Sequence, residues 1–169
     1  MTKARLETVF AWFRARPARL RALRAVNFLC TAVPCGAFPA VLLWLAVRRE
    51  GAAALRLLIT CGVSFAVLSV FRRLLNWPRP YEVYGLAPLF PKKTRGRSFP
   101  SRHVFSIFVI GTGLLYLLPP LGGVLLALGA ALAAARVLSG VHFVRDVLAG
   151  AAIGVFAAAV GFSLIPCAL

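Results

Sequence analysis

The chain is poor in acid. Its 169 residues include one aspartate, Asp146, and only four acidic side chains in all, against 20 lysines and arginines and a formal charge of +16. Histidine is as scarce, with His103 and His142 alone. So few ligating side chains, none of them clustered along the sequence, argue against a dedicated metal site, and no cofactor is called for. The four cysteines, Cys30, Cys35, Cys61 and Cys167, have no CxxC spacing and fall inside or at the end of apolar runs, which reads as small buried hydrophobes. The first 24 residues have no continuous apolar core before a small-residue cleavage site, so they do not read as a signal peptide.

What is abundant is apolar surface. Hydrophobic residues make up 61% of the chain and the mean hydropathy is +0.88, too apolar for a soluble domain and ample for a small integral membrane protein. The expected class is all-α, a membrane helical bundle. A charge of +16 in a soluble chain would suggest nucleic acid. Here the basic residues stand at the ends of apolar segments, where positive-inside topology and anionic headgroups account for them, and no nucleic-acid partner is expected.

Residues 1–25 form a basic segment. In 2–16 the apolar Leu6, Val9, Phe10 and Phe13 recur at helical spacing among Lys3, Arg5, Arg14 and Arg16, as in an amphipathic helix lying in the membrane interface, and Pro17 breaks it. Residues 26–169 then read as one five-span domain, with apolar segments at 26–47, 52–71, 104–118, 121–138 and 144–165. Arg48 to Gly51 make the first turn, and Arg56 is near enough to a segment end to snorkel. Gly123, Gly129, Ala133, Gly150, Gly154 and Gly161 offer small residues for close helix packing. The connector 72–102 carries Pro78, Pro80, Pro88, Pro91 and Pro100 and cannot be one helix. Its Trp77, Tyr81, Tyr84 and Phe90 suit either headgroup level or the underside of a re-entrant loop.

Five spans put the amino terminus, the connector and the turn 136–146 on one face. Most of the lysines and arginines are there, so positive-inside bias assigns that face to the cytoplasm. It also collects both histidines and the sole aspartate with Arg72, Arg79, Ser101, Arg102 and Arg136. Taken singly, each arginine reads as a headgroup anchor and Ser101 as a helix cap. Together they make an oxyanion site, with guanidinium forks and the free N–H groups after Pro100 aimed at phosphoryl oxygens. His142 and Asp146, spaced i and i+4, can share a helix face, the carboxylate fixing one ring nitrogen and leaving the other basic. Phosphoryl transfer needs one histidine as nucleophile and one as proton donor, and spacing alone leaves open which is which.

Three blocks carry a resemblance: Arg72, six residues, Arg79-Pro80; Pro100-Ser101-Arg102-His103; and Arg136, five residues, His142, three residues, Asp146. In this order they resemble the membrane-bound type 2 phosphatidic acid phosphatase superfamily, whose relatives include soluble acid phosphatases and vanadium haloperoxidases. The chain departs from the family pattern at Arg72 for lysine, Ala135 for serine and Arg102 for glycine. The last of these fills space that glycine leaves open and would suit a second phosphate group. The resemblance implies a metal-free mechanism with His142 as nucleophile, Asp146 holding its tautomer and His103 protonating the leaving group, then activating water. Arg72, Arg79, Arg136, Ser101 and the amide of Arg102 would hold the phosphoryl oxygens. The implied substrate is a lipid phosphate: polyprenyl phosphate or diphosphate, phosphatidic acid or phosphatidylglycerophosphate. Phosphotransfer to a lipid or sugar through the same intermediate is the alternative enzyme; lipid-phosphate binding or transport without catalysis is the alternative outside enzymology.

Overall fold

The computed structural model describes residues 2–90 and 95–165; Pro91 of the connector and Cys167 lie outside them. The described residues form seven helices in order: α1 (Lys3–Arg14), α2 (Pro17–Val47), α3 (Gly51–Leu75), α4 (Pro80–Tyr84), α5 (Arg102–Leu117), α6 (Pro119–Leu138) and α7 (Val144–Leu164). No strand occurs among the described residues. Prolines mark the starts. Pro17, Pro80 and Pro119 open α2, α4 and α6, where the missing N–H costs no helical bond. The α3 helix stops at Asn76, which turns the chain with φ 42°.

Among the described residues four helices are long and apolar enough to cross a membrane, those containing α2, α3, α6 and α7. The fifth apolar segment, α5, is shorter: 16 residues at ~1.5 Å each reach ~24 Å, less than the ~30 Å hydrocarbon core. It is the inner helix. Val104, Phe105, Ile107, Val109 and Leu114 are buried, and α5 packs against α6 and α7 and more lightly against α3 and α2. The α5–α7 contact depends on glycine. A Cβ at Gly150 would stand 2.6 Å from Ser101 O, and one at Gly154 2.8 Å from Phe105 O, so only a hydrogen there lets α7 lie this close to the start of α5. Gly129 and Gly161 are packed just as tightly, but at the other expected position it is Gly122, beside the α5 backbone, that is confined, whereas Gly123 faces open space.

The N-terminal helix differs from an interfacial anchor. Leu6, Phe10 and Phe13 are buried in a cluster with Leu89, Phe90, Ala135 and Val141, so the apolar stripe of α1 covers the connector and the α6–α7 turn instead of facing lipid. Arg14 Nη2 donates to Ala87 O at 2.7 Å and ties the helix to the connector. The helix therefore braces the end of the bundle where the candidate site lies. Arg56 also turns inward, donating to Phe162 O of α7 and stacking over the Phe162 ring at 4.7 Å. Cys30 and Cys61 are buried, as their apolar neighbours imply, but Cys35 is exposed on α2.

Candidate active site

The site is assembled from three helix ends and the loop before α5. In the last turn of α3, where cations complement the helix dipole, Arg72 Nη1 donates to Ser98 O at 3.3 Å and Nη2 donates to Arg97 O. Arg79 caps α4 and reaches back to the same loop, its Nε donating to Gly96 O at 2.9 Å. Glu82 closes this arrangement by accepting from Arg79 N at 2.7 Å and Gly96 N at 3.0 Å. The connector is thus held by backbone and side-chain bonds on both sides of the two arginines. Trp77, packed on Phe99 with Arg145 over its ring, is partly exposed, while Phe90 is buried beneath the connector.

At the end of α6, Arg136 O accepts from Ser139 Oγ, Val141 N and His142 N, which folds the chain into a tight turn and presents His142 inward. His142 lies in this turn, before α7 begins, so it does not share a helix face with Asp146 as i, i+4 spacing suggests. The pair meets around the N-terminus of α7. Asp146 Oδ2 accepts from Phe143 N at 2.9 Å and from Ser98 Oγ, and stands 3.5 Å from His142 Nδ1. A carboxylate at the third helical position serves the orphan N–H groups of that terminus, which is why the geometry is local and reproducible. The backbone of Asp146 completes the link, its carbonyl accepting from Ser101 N at 2.8 Å.

Burial lowers the His142 pKa to about 4; the Asp146 contact opposes that shift, and the charges of Arg79 and Arg136 add to it. At neutral pH the ring is therefore uncharged, with Nδ1 beside a carboxylate and Nε2 carrying the lone pair. In a His103→Ala protein bearing no histidine tag, the single remaining imidazole is expected to stay neutral at pH 5.5 by NMR. A midpoint near 6.5 would contradict this account of its surroundings.

Among the site residues four buried polar atoms have no hydrogen-bond partner among the described residues: the acceptor Asp146 Oδ1 and three donors, Arg79 Nη1, Ser101 Oγ and Arg136 Nε, each donor from a different element. Ser101 stands at the start of α5, yet its hydroxyl makes no capping bond. Buried donors left unmade cost about 1–3 kcal/mol each, so three near one imidazole form a cradle suited to an oxyanion. The expected residues Arg72, Arg79, Ser101, Arg136, His142 and Asp146 are thereby brought together. His103 and Arg102 occupy the first turn of α5 beside them, lining a groove of about 210 Å³ with Cys30, Phe65, Ile107 and Leu132. Ser98 and Glu82 are not in any of the three sequence blocks, although both are bonded to the residues that are. No group of three or more His, Cys, Asp or Glu side chains among the described residues could hold a metal ion.

Residues 53–167 match the PAP2 superfamily, and the chain belongs to it. It is a multi-pass membrane protein and a hydrolase of this phosphatase superfamily. The match begins inside α3 and leaves α1 and α2 outside it. Among solved structures the fold is similar to the crystal structure of Aquifex aeolicus LpxE, with a TM-score of 0.69, 24% identity and 94% of each chain covered. It is also similar to the first transmembrane PAP2 type phosphatidylglycerolphosphate phosphatase from Bacillus subtilis, with a TM-score of 0.69 and 22% identity over 96% of this chain and 86% of that one. No curated protein matches.

Proposed function

We propose that the chain hydrolyses a lipid phosphomonoester or diphosphate through a phosphohistidine. The observation that carries this reading is the set of buried donors without partners among the described residues, Arg79 Nη1, Ser101 Oγ and Arg136 Nε, on residues gathered with the neutral imidazole of His142. His142 Nε2 attacks phosphorus as the bond to the leaving oxygen breaks. Asp146 holds Nδ1–H, fixing the tautomer and stabilising the cation formed on the ring. His103 gives its proton to the departing oxygen, then takes one from the water that attacks the phosphohistidine. The transferred group carries its charge on three equatorial oxygens, and Arg72, Arg79, Arg136, Ser101 and the amide of Arg102 supply donors for them. The apolar groove that His103 shares with Phe65, Ile107 and Leu132, between α2, α3, α5 and α6, suits the chain of a substrate whose headgroup alone leaves the bilayer.

The test is phosphate release by the detergent-purified chain, with EDTA present, from polyprenyl phosphate and diphosphate, phosphatidic acid and phosphatidylglycerophosphate. Release that survives EDTA is the expected result. No release from any of them would overturn the reading and bring lipid phosphotransfer forward.

The amino terminus and the site share one end of the bundle through α1, and we assign that end to the cytoplasm from its excess of arginine. A probe attached at Met1 should then react with an impermeant reagent only after cells are permeabilised. Labelling of intact cells would reverse the orientation.

A further inference from the structure

A second cavity adjoins the cradle. It holds about 130 Å³ and is walled by Arg72, Arg73, Arg79, Arg95, Arg97 and Arg102. His142, Ser101 and Arg136 are not among its walls, while Arg72 and Arg79 belong to both spaces, so the two adjoin without coinciding. Among the described residues no carboxylate comes within ion-pair distance of any of these six guanidinium groups: Glu82 accepts from backbone N–H groups and Asp146 from Ser98 and Phe143 N, so that Asp146 acts on Arg72 and Arg79, and Glu82 on Arg79, only at longer range. Arg72 and Arg79 are buried and the other four are exposed, and six like charges facing one small space make it attractive to an anion. One further atom points the same way, since Ser69 Oγ in the cavity wall is buried without a partner among the described residues.

Arg102 is the hinge of the argument. It lines this cationic cavity and also the apolar groove that contains His103, its guanidinium 5.4 Å over the Phe65 ring. The spaces therefore follow one another as phosphoryl cradle, cationic cavity and apolar groove. A phosphomonoester would bring its hydrocarbon against the arginines directly after the transferred group. A diphosphate would instead put its inner phosphate there and its chain in the groove.

We propose that the Arg102 cavity is a subsite for the inner phosphate of a lipid diphosphate, so that the bond this site cleaves is a phosphoanhydride. The chemistry rests on the phosphatase reading above; the anion subsite does not. His142 Nε2 forms its bond to the terminal phosphorus while the bond from that phosphorus to the bridging oxygen breaks. The bridging oxygen keeps the electron pair and leaves on the lipid monophosphate, held by Arg102. Water then attacks the phosphohistidine and releases orthophosphate, so one water is consumed per anhydride. An inner phosphate is a far better leaving group than an alkoxide, and the arginines stabilise the charge it acquires.

The test begins with binding to the detergent-purified full chain, measured by calorimetry for methylenediphosphonate, whose bridge cannot be cleaved, and for orthophosphate. Wild type should prefer the former, and Arg102→Gly, which installs the family residue, should cut that preference about tenfold through loss of a charge-assisted contact. Arg102→Lys should retain most of it. A preference unchanged in Arg102→Gly overturns the subsite. Kinetics supply the second arm: the ratio of kcat/KM for farnesyl diphosphate to that for farnesyl phosphate should fall likewise in Arg102→Gly, and an unchanged ratio again overturns it. Faster turnover of inorganic diphosphate than of farnesyl diphosphate would overturn the assignment to a lipid. If neither lipid is cleaved while the binding preference shifts as expected, the phosphatase reading fails and the subsite stands. If both are cleaved with the ratio unmoved, the subsite fails and the phosphatase reading stands.

Discussion

His142→Ala is expected to lower phosphate release by about four orders of magnitude or more while leaving the protein folded, since removal of a nucleophile that acts as a unit with its base and oxyanion donors has effects of this size. No other side chain can substitute, because the only other histidine, His103, is in the first turn of α5 and lines the groove. The fold should tolerate the change: Asp146 keeps its bonds from Ser98 and Phe143 N, and the turn that carries residue 142 is closed by backbone bonds to Arg136 O. Truncating a buried ring still leaves a small cavity, at a cost of about 2–3 kcal/mol. The measurement is single-turnover phosphate release beside thermal unfolding. Wild type quenched in alkali should carry phosphate on histidine and the variant none. Release within tenfold of wild type would remove His142 from the chemistry.

His103→Ala should behave differently with different leaving groups. An alkoxide is about as strong a base as hydroxide and needs a proton as it departs, whereas a phosphate, with its second pKa of about 6, hardly does. The loss on a lipid monophosphate should therefore exceed the loss on the corresponding diphosphate. The same principle explains why the site can keep one histidine neutral in a dry, cationic setting and place the other half-buried at the groove. Their surroundings differ because one is enclosed by the turn between α6 and α7 and the other stands in the first turn of α5, lining the groove shared with α2 and α3.

Much of this architecture follows from local signals. Apolar runs of span length and prolines at helix starts suffice to place α2, α3, α6 and α7, because length and hydropathy are properties of contiguous residues. The gathering of Arg72, Arg79, Arg136 and His142 at one end is likewise a matter of parity, each standing at or just beyond the end of an apolar segment. What could not be read are the non-local pairings. The stripe of Leu6, Phe10 and Phe13 has the same period whether it meets lipid or protein, and only the covered connector and Val141 decide between them. Ser98 and Glu82 carry no pattern of their own, and their importance lies in distant partners, Asp146 and Gly96. Gly122 and Gly123 are adjacent, so a one-residue difference in helix rotation decides which of them faces α5.

Asp146→Asn tests the part of the site where geometry and charge can be separated. Asparagine has the shape of aspartate and can still accept from Phe143 N and Ser98 Oγ through its carbonyl oxygen, the bonds that close the start of α7 and tie the loop to it. It cannot offer a negative charge to the imidazole 3.5 Å away. Without that charge the ring loses its reason to keep the proton on Nδ1, and the tautomer with hydrogen on Nε2 has no lone pair facing phosphorus. The cation formed on attack also goes uncompensated beside Arg79 and Arg136, in surroundings that already disfavour positive charge on this ring. A loss of about three to four orders of magnitude in kcat is expected, with KM nearly unchanged because the arginines and Ser101 that we propose hold the anion are untouched. Ser98→Ala, which removes one donor to the carboxylate and keeps the charge, should cost only about tenfold. Equal losses in the two variants, or a large rise in KM with kcat preserved, would mean that Asp146 serves the packing of the α5–α7 junction and not the state of the imidazole.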